Sequence, residues 1–196
     1  MLYGKYKELR NATWQLLLDL QISQLPISVN DIAQKLNIKI IKNSLVPNEY
    51  KLKPNEYGCT IFMNNKWYII YNNNLPDCVS RFTIAHEFGH ILLGHFLEEP
   101  NNLKMYRTFQ KRDSEEQEAD MFAARLLAPA CVLWGLNLHT PEEIKQVCNI
   151  SYQAATFRAE RMEILYQRNM FLTSTLEQKV YKQFDCYIQN NKKNKL

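Results

Sequence analysis

Two histidines separated by three residues, with a glutamate directly after the first, form the segment of this chain with the clearest chemical potential. It reads His86-Glu87-Phe88-Gly89-His90. On an α-helix, side chains four residues apart lie on the same face. Both imidazoles can then bind one zinc ion, and Glu87 can take a proton from a water that the ion holds. This H-E-x-x-H spacing predicts a metal-dependent peptidase. The alternative is a buried helix with two hydrogen-bonded core histidines.

A catalytic zinc site needs three protein ligands and one position for water, so another residue must complete it. His95 follows His90 by five residues, which on a continuous helix turns it about 140° from the ligand face. We therefore expect His95 to lie near the helix end without binding metal. The metzincin motif is excluded, because it needs glycine and histidine where this chain has Leu93 and Phe96.

A second helix, with an acidic first turn, is predicted over residues 113–129. Three of its glutamates compete for the role of third ligand: Glu115, Glu116 and Glu118. Glu116 shares a face with Asp120, whereas Glu118 lies about 200° away and is expected to point elsewhere. We favour Glu116 as ligand, with Asp120 orienting one histidine through its free ring nitrogen. Two alternatives remain: Glu116 in a capping box begun by Asp113, and Asp120 as a surface acid.

Hydrophobic periodicity and turn residues predict the elements that hold these side chains. The H-E-x-x-H segment falls in a helix over 76–96, with Asn74 as its cap. Strands are predicted at 38–42, 59–63 and 67–71, the last two joined as a hairpin at Asn64-Asn65. Further helices are predicted at 5–20, 28–36, 151–168 and 174–190, and a polar loop without a strong pattern at 98–112. Thr140-Pro141-Glu142-Glu143 has the form of a capping box with proline at N1, and it predicts a short helix that is joined to the next one by Cys148-Asn149-Ile150.

These elements predict an α+β fold, in which a small, mainly antiparallel sheet of about three strands packs on the H-E-x-x-H helix. The C-terminal part is helical. We expect a zincin-like metallopeptidase domain over residues 1–138 and a helical region over 139–196. Two helices within 140–168 loosely have the form of a helix-turn-helix.

Two spaced motifs resemble the ImmA/IrrE family of metallopeptidases: RFTIAHEFGHILLGH and, after a short acidic segment, EQEADMFAARLLAP. The segment YGCTIFMNNKWYIIYNNN is similar to the paired strands that precede the active-site helix in that family. The resemblance covers roughly residues 30–130. One departure is at residues 126–129, Leu-Leu-Ala-Pro here and usually Leu-Leu-Met-Pro in the family.

The resemblance implies a gluzincin-like site with one zinc ion per chain, bound by His86, His90 and Glu116, and with Glu87 as the catalytic base. It also implies an association with mobile elements and stress regulation, in which the family cleaves helix-turn-helix repressors. A specific repressor is therefore the expected protein partner, cleaved by a cytoplasmic zinc endopeptidase of narrow specificity.

Composition favours a cytoplasmic protein that binds neither membranes nor nucleic acid. Five widely spaced cysteines without a C-x-x-C pair indicate reduced thiols. The apolar runs are too short to span a bilayer, and charges near the N-terminus argue against a signal peptide. The net charge is +4, and three lysines among the last five residues supply most of it. The alternatives are a zinc-binding regulatory protein with little proteolysis and a DNA-binding regulator acting through residues 140–168.

Overall fold

The computed structural model of the chain describes residues 3–96, 104–106 and 114–193. Its elements are, in order: α1 (Tyr3–Asp19), α2 (Val29–Lys35), β1 (Lys39–Lys42), β2 (Gly58–Met63), β3 (Lys66–Tyr71), α3 (Asp77–Leu92), β4 (Lys104–Tyr106), α4 (Ser114–Leu127), α5 (Ala130–Gly135), α6 (Pro141–Cys148), α7 (Tyr152–Gln167), α8 (Thr175–Gln183) and α9 (Asp185–Lys193). Short 3-10 turns lie at 43–45 and 48–50. The predicted α+β class is confirmed.

The described residues form two compact units, one over 28–123 and one made of 3–27 with 124–193. The boundary between them falls within α4. This grouping differs from the division into 1–138 and 139–196 that the sequence suggested. It describes packing and does not test which stretch folds independently, so that division stays a prediction.

The unit over 28–123 contains a four-stranded sheet in the order β1-β3-β2-β4. β1 runs parallel to β3, and the other two pairs are antiparallel, so the sheet is mainly antiparallel, as predicted. The hairpin between β2 and β3 turns at Asn64 and Asn65, with φ of 52° and 56°. Asparagine adopts positive φ readily, which is why this pair favours a tight hairpin.

The fourth strand was not predicted from the sequence. β4 lies within residues 98–112, where a loop was expected, and pairs with β2 through the Thr60–Tyr106 and Ile61–Met105 register. A three-residue strand is too short to show an alternating apolar pattern, so only its pairing partner reveals it. The rest of the predicted loop lies outside the described residues.

α3 is shorter than predicted at its C-terminal end. It begins after Pro76, which occupies the cap position without a side-chain hydrogen bond, so the assignment of Asn74 as cap was wrong. The helix ends at Leu92 instead of residue 96, because Gly94 adopts a left-handed conformation with φ 77°. Glycine at this position commonly terminates a helix.

The two faces of β2 serve different purposes, because successive side chains point to opposite sides. Cys59 and Ile61 belong to a core cluster on one side of the sheet, together with Val46 and Ile70. Thr60 points to the other side, toward α3. The side of β2 that carries Thr60 thus meets the H-E-x-x-H helix through a polar contact, while the opposite side forms an apolar core.

The second unit is helical. α1 packs against α8, where the amide of Gln183 donates hydrogen bonds of 2.7 Å to the carbonyls of Leu17 and Ile22. α6 begins with the predicted capping box of Thr140 and Glu143. The final predicted helix is instead two, α8 and α9, divided at the buried Phe184; α5 was not predicted. No described helix has the length and apolarity needed to cross a membrane.

Candidate metal centre

His86 and His90 lie on the same face of α3, as their spacing predicts. Their Nε2 atoms are 3.0 Å apart. His90 is buried, and His86 is half-buried. Two imidazole nitrogens therefore lie close enough to bind the same metal ion.

Glu116 reaches these nitrogens from α4. Its Oε1 is 3.2 Å from Nε2 of His90, and its Oε2 is 3.4 Å from Nε2 of His86. One ligand atom from each of the three residues lies within 4.8 Å of the others. Among the competing glutamates, Glu115 is exposed and Glu118 is directed at a different partner. The capping alternative involves Asp113, which lies outside the described residues.

A close approach of the two helices makes this convergence possible. A Cβ atom placed on Gly89 would lie 3.0 Å from Cα and 3.3 Å from Cβ of Ala119. The absence of a side chain on Gly89 and the small one on Ala119 let the backbones come together. Glycine costs roughly 1 kcal/mol of helix propensity relative to alanine, and here the close packing accounts for its presence.

Hydrogen bonds between carboxylates and histidines determine the direction in which the pKa values of His86 and Glu116 are shifted. Burial lowers the pKa of His86, but hydrogen bonds to Asp120 and Glu116 outweigh it and raise the pKa to about 9. For Glu116, burial raises the pKa, while hydrogen bonds to His86 and His90 outweigh it and lower the pKa to about 2. The site therefore stabilises a positive charge beside an ionised carboxylate.

Asp120 contacts the outer nitrogen of His86. Its Oδ1 is 2.9 Å from Nδ1 of His86. The carboxylate can only accept here, so Nδ1 of His86 donates to it, while Nε2 is directed at Glu116 and His90. The sequence predicts such a contact of Asp120 with one histidine, and the structure identifies that histidine as His86.

His90 has an outer contact of a different kind, which was not predicted from the sequence. Its Nδ1 is 2.9 Å from Nδ1 of His95, and Nε2 of His95 is 3.4 Å from Oε2 of Glu118. Because Glu118 accepts, His95 donates from Nε2 and accepts at Nδ1 from His90. Burial, followed by the nearby His90, lowers the pKa of His95, which favours this neutral form.

The turn at Gly94 explains why His95 lies here. The amide of His95 donates to the carbonyl of His90 at 3.1 Å, and that of Gly94 to Ile91 at 3.3 Å, the pair of bonds of a Schellman motif. The chain reverses at Gly94, so the expected 140° offset on a continuous helix does not apply. The glycine was the available sequence signal.

Glu87, which follows His86 on α3, is buried. Its Oε2 accepts a 2.6 Å hydrogen bond from the hydroxyl of Thr60 on β2. Gly58 leaves room beside it, since a Cβ there would lie 2.5 Å from Cγ2 of Thr83 and 3.5 Å from Oε1 of Glu87. The negative charge of Glu87 also helps to raise the pKa of His86, after the hydrogen bonds to Asp120 and Glu116. Thr60 was not singled out from the sequence.

The donor set suits zinc. Two imidazole nitrogens and one carboxylate form the His₂Glu ligand combination of catalytic zinc sites. Both histidines are held at their outer nitrogens, as is usual for metal-binding imidazoles. The three residues could therefore hold a metal ion.

The comparisons with known proteins agree with this geometry. No match is found among curated proteins. Residues 33–160, well over half of the chain, match the family model Peptidase_M78, described as the IrrE N-terminal-like domain, and this range includes all the side chains of the candidate centre. The chain therefore belongs to the Peptidase_M78, or ImmA/IrrE, family of metallopeptidases.

Proposed function

We propose that this chain is a zinc-dependent endopeptidase with one zinc ion held by His86, His90 and Glu116. The observation that carries the proposal is the convergence of these three side chains from α3 and α4, next to the buried carboxylate of Glu87. Membership of a peptidase family supports a protein as the substrate.

The proposed chemistry divides between the metal and the protein. When bound, zinc lowers the pKa of a water and polarises the peptide carbonyl. Glu87 accepts a proton from the attacking water at a carboxylate oxygen and later donates it to the leaving amine. The hydrogen bond from Thr60 restricts the orientation of the Glu87 carboxylate. General base catalysis typically contributes about 10²–10⁴-fold to the rate, so activity should depend strongly on Glu87.

The outer contacts are proposed to fix the ring orientations of the two histidine ligands. Asp120 holds His86 directly, while Glu118 holds His90 through His95. Each contact keeps a proton on Nδ1 of the ligand and directs its Nε2 lone pair to the metal. His95 and Glu118 are thus positioning residues.

The proposed substrate is a helix-turn-helix repressor in the cytoplasm, cleaved at a specific site, with the protease acting as an anti-repressor associated with a mobile element. The ImmA/IrrE resemblance supports this target. Apart from its C-terminal lysines the chain is close to neutral, which suits a protein partner better than DNA. Broad digestion would harm the host cell, so narrow specificity is expected.

Co-expression with a helix-turn-helix repressor encoded beside this chain tests the proposal. The wild-type protein should produce defined fragments, identified by gel and mass spectrometry. Glu87→Gln should leave the repressor intact while keeping its zinc, because the amide cannot accept the proton. Casein digestion measures breadth of specificity.

Four outcomes of these experiments would each contradict part of the proposal. Cleavage by the Glu87→Gln protein at the wild-type rate would show that Glu87 is not the base. An intact repressor under inducing conditions, with zinc bound, would favour another substrate or the zinc-binding regulatory alternative. Broad casein digestion would contradict narrow specificity. Salt-dependent binding of duplex DNA through residues 140–168 would instead support the DNA-binding alternative.

A further inference from the structure

Three arginines from two helices gather around one tyrosine in the helical unit. The guanidinium carbon of Arg125, on α4, lies 4.2 Å from the ring centroid of Tyr6, and that of Arg161, on α7, lies 5.2 Å from it. Each guanidinium gains from stacking on the ring. Two cations near the same ring also repel each other, and Arg125 is only 9% exposed, so water screens this repulsion weakly.

Arg158 adds a third positive charge. It lies one helical turn before Arg161 on α7, and its Nε is buried without a hydrogen-bond partner in the described part of the chain. Burial, followed by the charge of Arg125, lowers the pKa of Arg158 to about 10, so the side chain remains positive at neutral pH. A buried donor without an acceptor is destabilising.

Among the main electrostatic neighbours of Arg125 and Arg158, those that are charged at neutral pH are other arginines, whereas a tyrosine and two thiols favour the protonated guanidinium. The main electrostatic neighbours of Arg125 are Tyr6, Arg161 and Arg10, and those of Arg158 are Arg125, Tyr6 and two cysteine thiols. Within the described ranges, Arg158 and Arg161 form no ion pair with a carboxylate. Like charges gathered in a half-buried position are stabilised by an anion that binds between them.

We propose that Arg125, Arg158 and Arg161 form a binding site for a small phosphate-type oxyanion, either free or as the terminal group of a small phosphomonoester. Guanidinium groups present planar pairs of donors that match phosphate oxygens. The buried Nε of Arg158 gains an acceptor when the anion binds. The site is built from α1, α4 and α7 and is independent of the proposed peptidase function.

A small anion fits this arrangement better than duplex DNA. Contacts with DNA phosphates need basic side chains presented on an accessible surface. Arg125 is buried, and Arg161 lies against the ring of Tyr6. Within the helix-turn-helix-like segment, Arg161 is thus stacked on Tyr6 and the Nε of Arg158 is buried, so neither presents its charge on an open surface.

Titration of the wild-type protein with inorganic phosphate tests the site, with calorimetry and thermal melting as readouts. One phosphate should bind per chain and raise the melting temperature more than sodium chloride of equal ionic strength. Arg158→Met and Arg161→Met should each weaken binding about ten- to a hundredfold, the range expected from loss of charge-assisted hydrogen bonds. Arg168→Met, at an exposed position near the end of α7, removes the same charge and should change the affinity less than about twofold.

Two further ligands identify the source of the oxyanion. A nucleoside monophosphate that binds with the same arginine dependence, more tightly than inorganic phosphate, points to a phosphomonoester; tighter binding of inorganic phosphate points to the free ion. Should Arg158→Met fail to melt cooperatively, Arg161→Met carries the comparison. The proposal is overturned if neither ligand binds, or if Arg168→Met loses as much affinity as the cluster variants. Binding of a short duplex DNA through these arginines, without binding of either small ligand, would also overturn it.

Discussion

His86 and His90 are each held at the outer ring nitrogen, Nδ1, but by different kinds of contact. His86 is held by Asp120, a single carboxylate whose side chain is 44% exposed. His90 is held by His95, whose side chain is 7% exposed, and His95 in turn contacts Glu118, which is 6% exposed. One candidate ligand is thus supported directly at the surface and the other through a buried chain of two residues.

This difference shows how burial determines the kind of support that a ligand needs. Near the surface, solvent can satisfy the remaining lone pairs of Asp120, so one contact is enough. In the interior, the polar atoms of His90 and His95 each need a protein partner. A second imidazole meets this need because it accepts at one nitrogen and donates from the other.

Removal of Glu116, which contacts both histidines, should have the largest effect. Glu116→Ala takes away one of three proposed ligands, so zinc affinity should fall by more than the ten- to hundredfold loss that is typical of outer contacts. Zinc content after purification and competition with a chelator measure the change. Glu115→Ala removes an exposed carboxylate from the same helical turn and is the matched control. Equal losses in the two variants would show that Glu116 is not a ligand.

Substitution of His95 should remove the buried support of His90 and leave the contact between Asp120 and His86 in place. His95→Phe keeps the ring volume but removes the contacts with His90 and Glu118, so zinc affinity should fall about ten- to a hundredfold. His95→Gln keeps one acceptor and one donor and should recover part of the loss. The absorption spectrum of the cobalt-substituted protein reports the ligand geometry without requiring activity. An unchanged spectrum and affinity in the Phe variant would remove His95 from the site.

The salt dependence of zinc affinity should distinguish Asp120 from Glu118, and this effect should be smaller than the previous two. Asp120→Asn and Glu118→Gln each remove a charge and keep an acceptor, so each should reduce zinc affinity by about tenfold at low salt. Between about 0.05 and about 0.5 M NaCl, the penalty of Asp120→Asn should shrink, because an exposed charge is screened more than a buried one. The penalty of Glu118→Gln should persist. Chelator competition at both salt concentrations measures the difference, and equal salt responses would contradict the contrast in burial.

The support of His86 was predicted from the sequence better than that of His90, because it depends on the spacing of residues within a helix. Spacings of four residues on a helix placed His86 with His90, and Glu116 with Asp120. The His95 contact depends instead on the reversal at Gly94, where the helix was expected to continue. Residues that meet only through tertiary structure escaped prediction altogether.

Thr60 is one such residue, since its contact with Glu87 requires a particular register of β2 against α3. The same limit applied to the fold. Helices with caps, such as those after Ser28, Thr140 and Ser151, were located closely. The short β4 was not, because it is defined by its pairing with β2.

The smallest predicted effect concerns Gly89, which sets the distance between α3 and α4 on which both histidines depend. In Gly89→Ala, the new Cβ would lie 3.0 Å from Cα of Ala119, so the helices must move apart. Overpacking costs about 1–3 kcal/mol. Improved helix propensity offsets roughly 1 kcal/mol of that cost, which leaves a net loss of stability of up to about 2 kcal/mol.

Gly4→Ala is the control, because no atom lies within 4 Å of its added Cβ, and it should leave stability unchanged or raise it by up to about 1 kcal/mol. Urea unfolding of the metal-free proteins measures both changes, and zinc affinity should fall only in Gly89→Ala. Stabilisation in both variants would mean that the helices can separate without cost, and that the close approach at Ala119 does not hold the two histidines against Glu116.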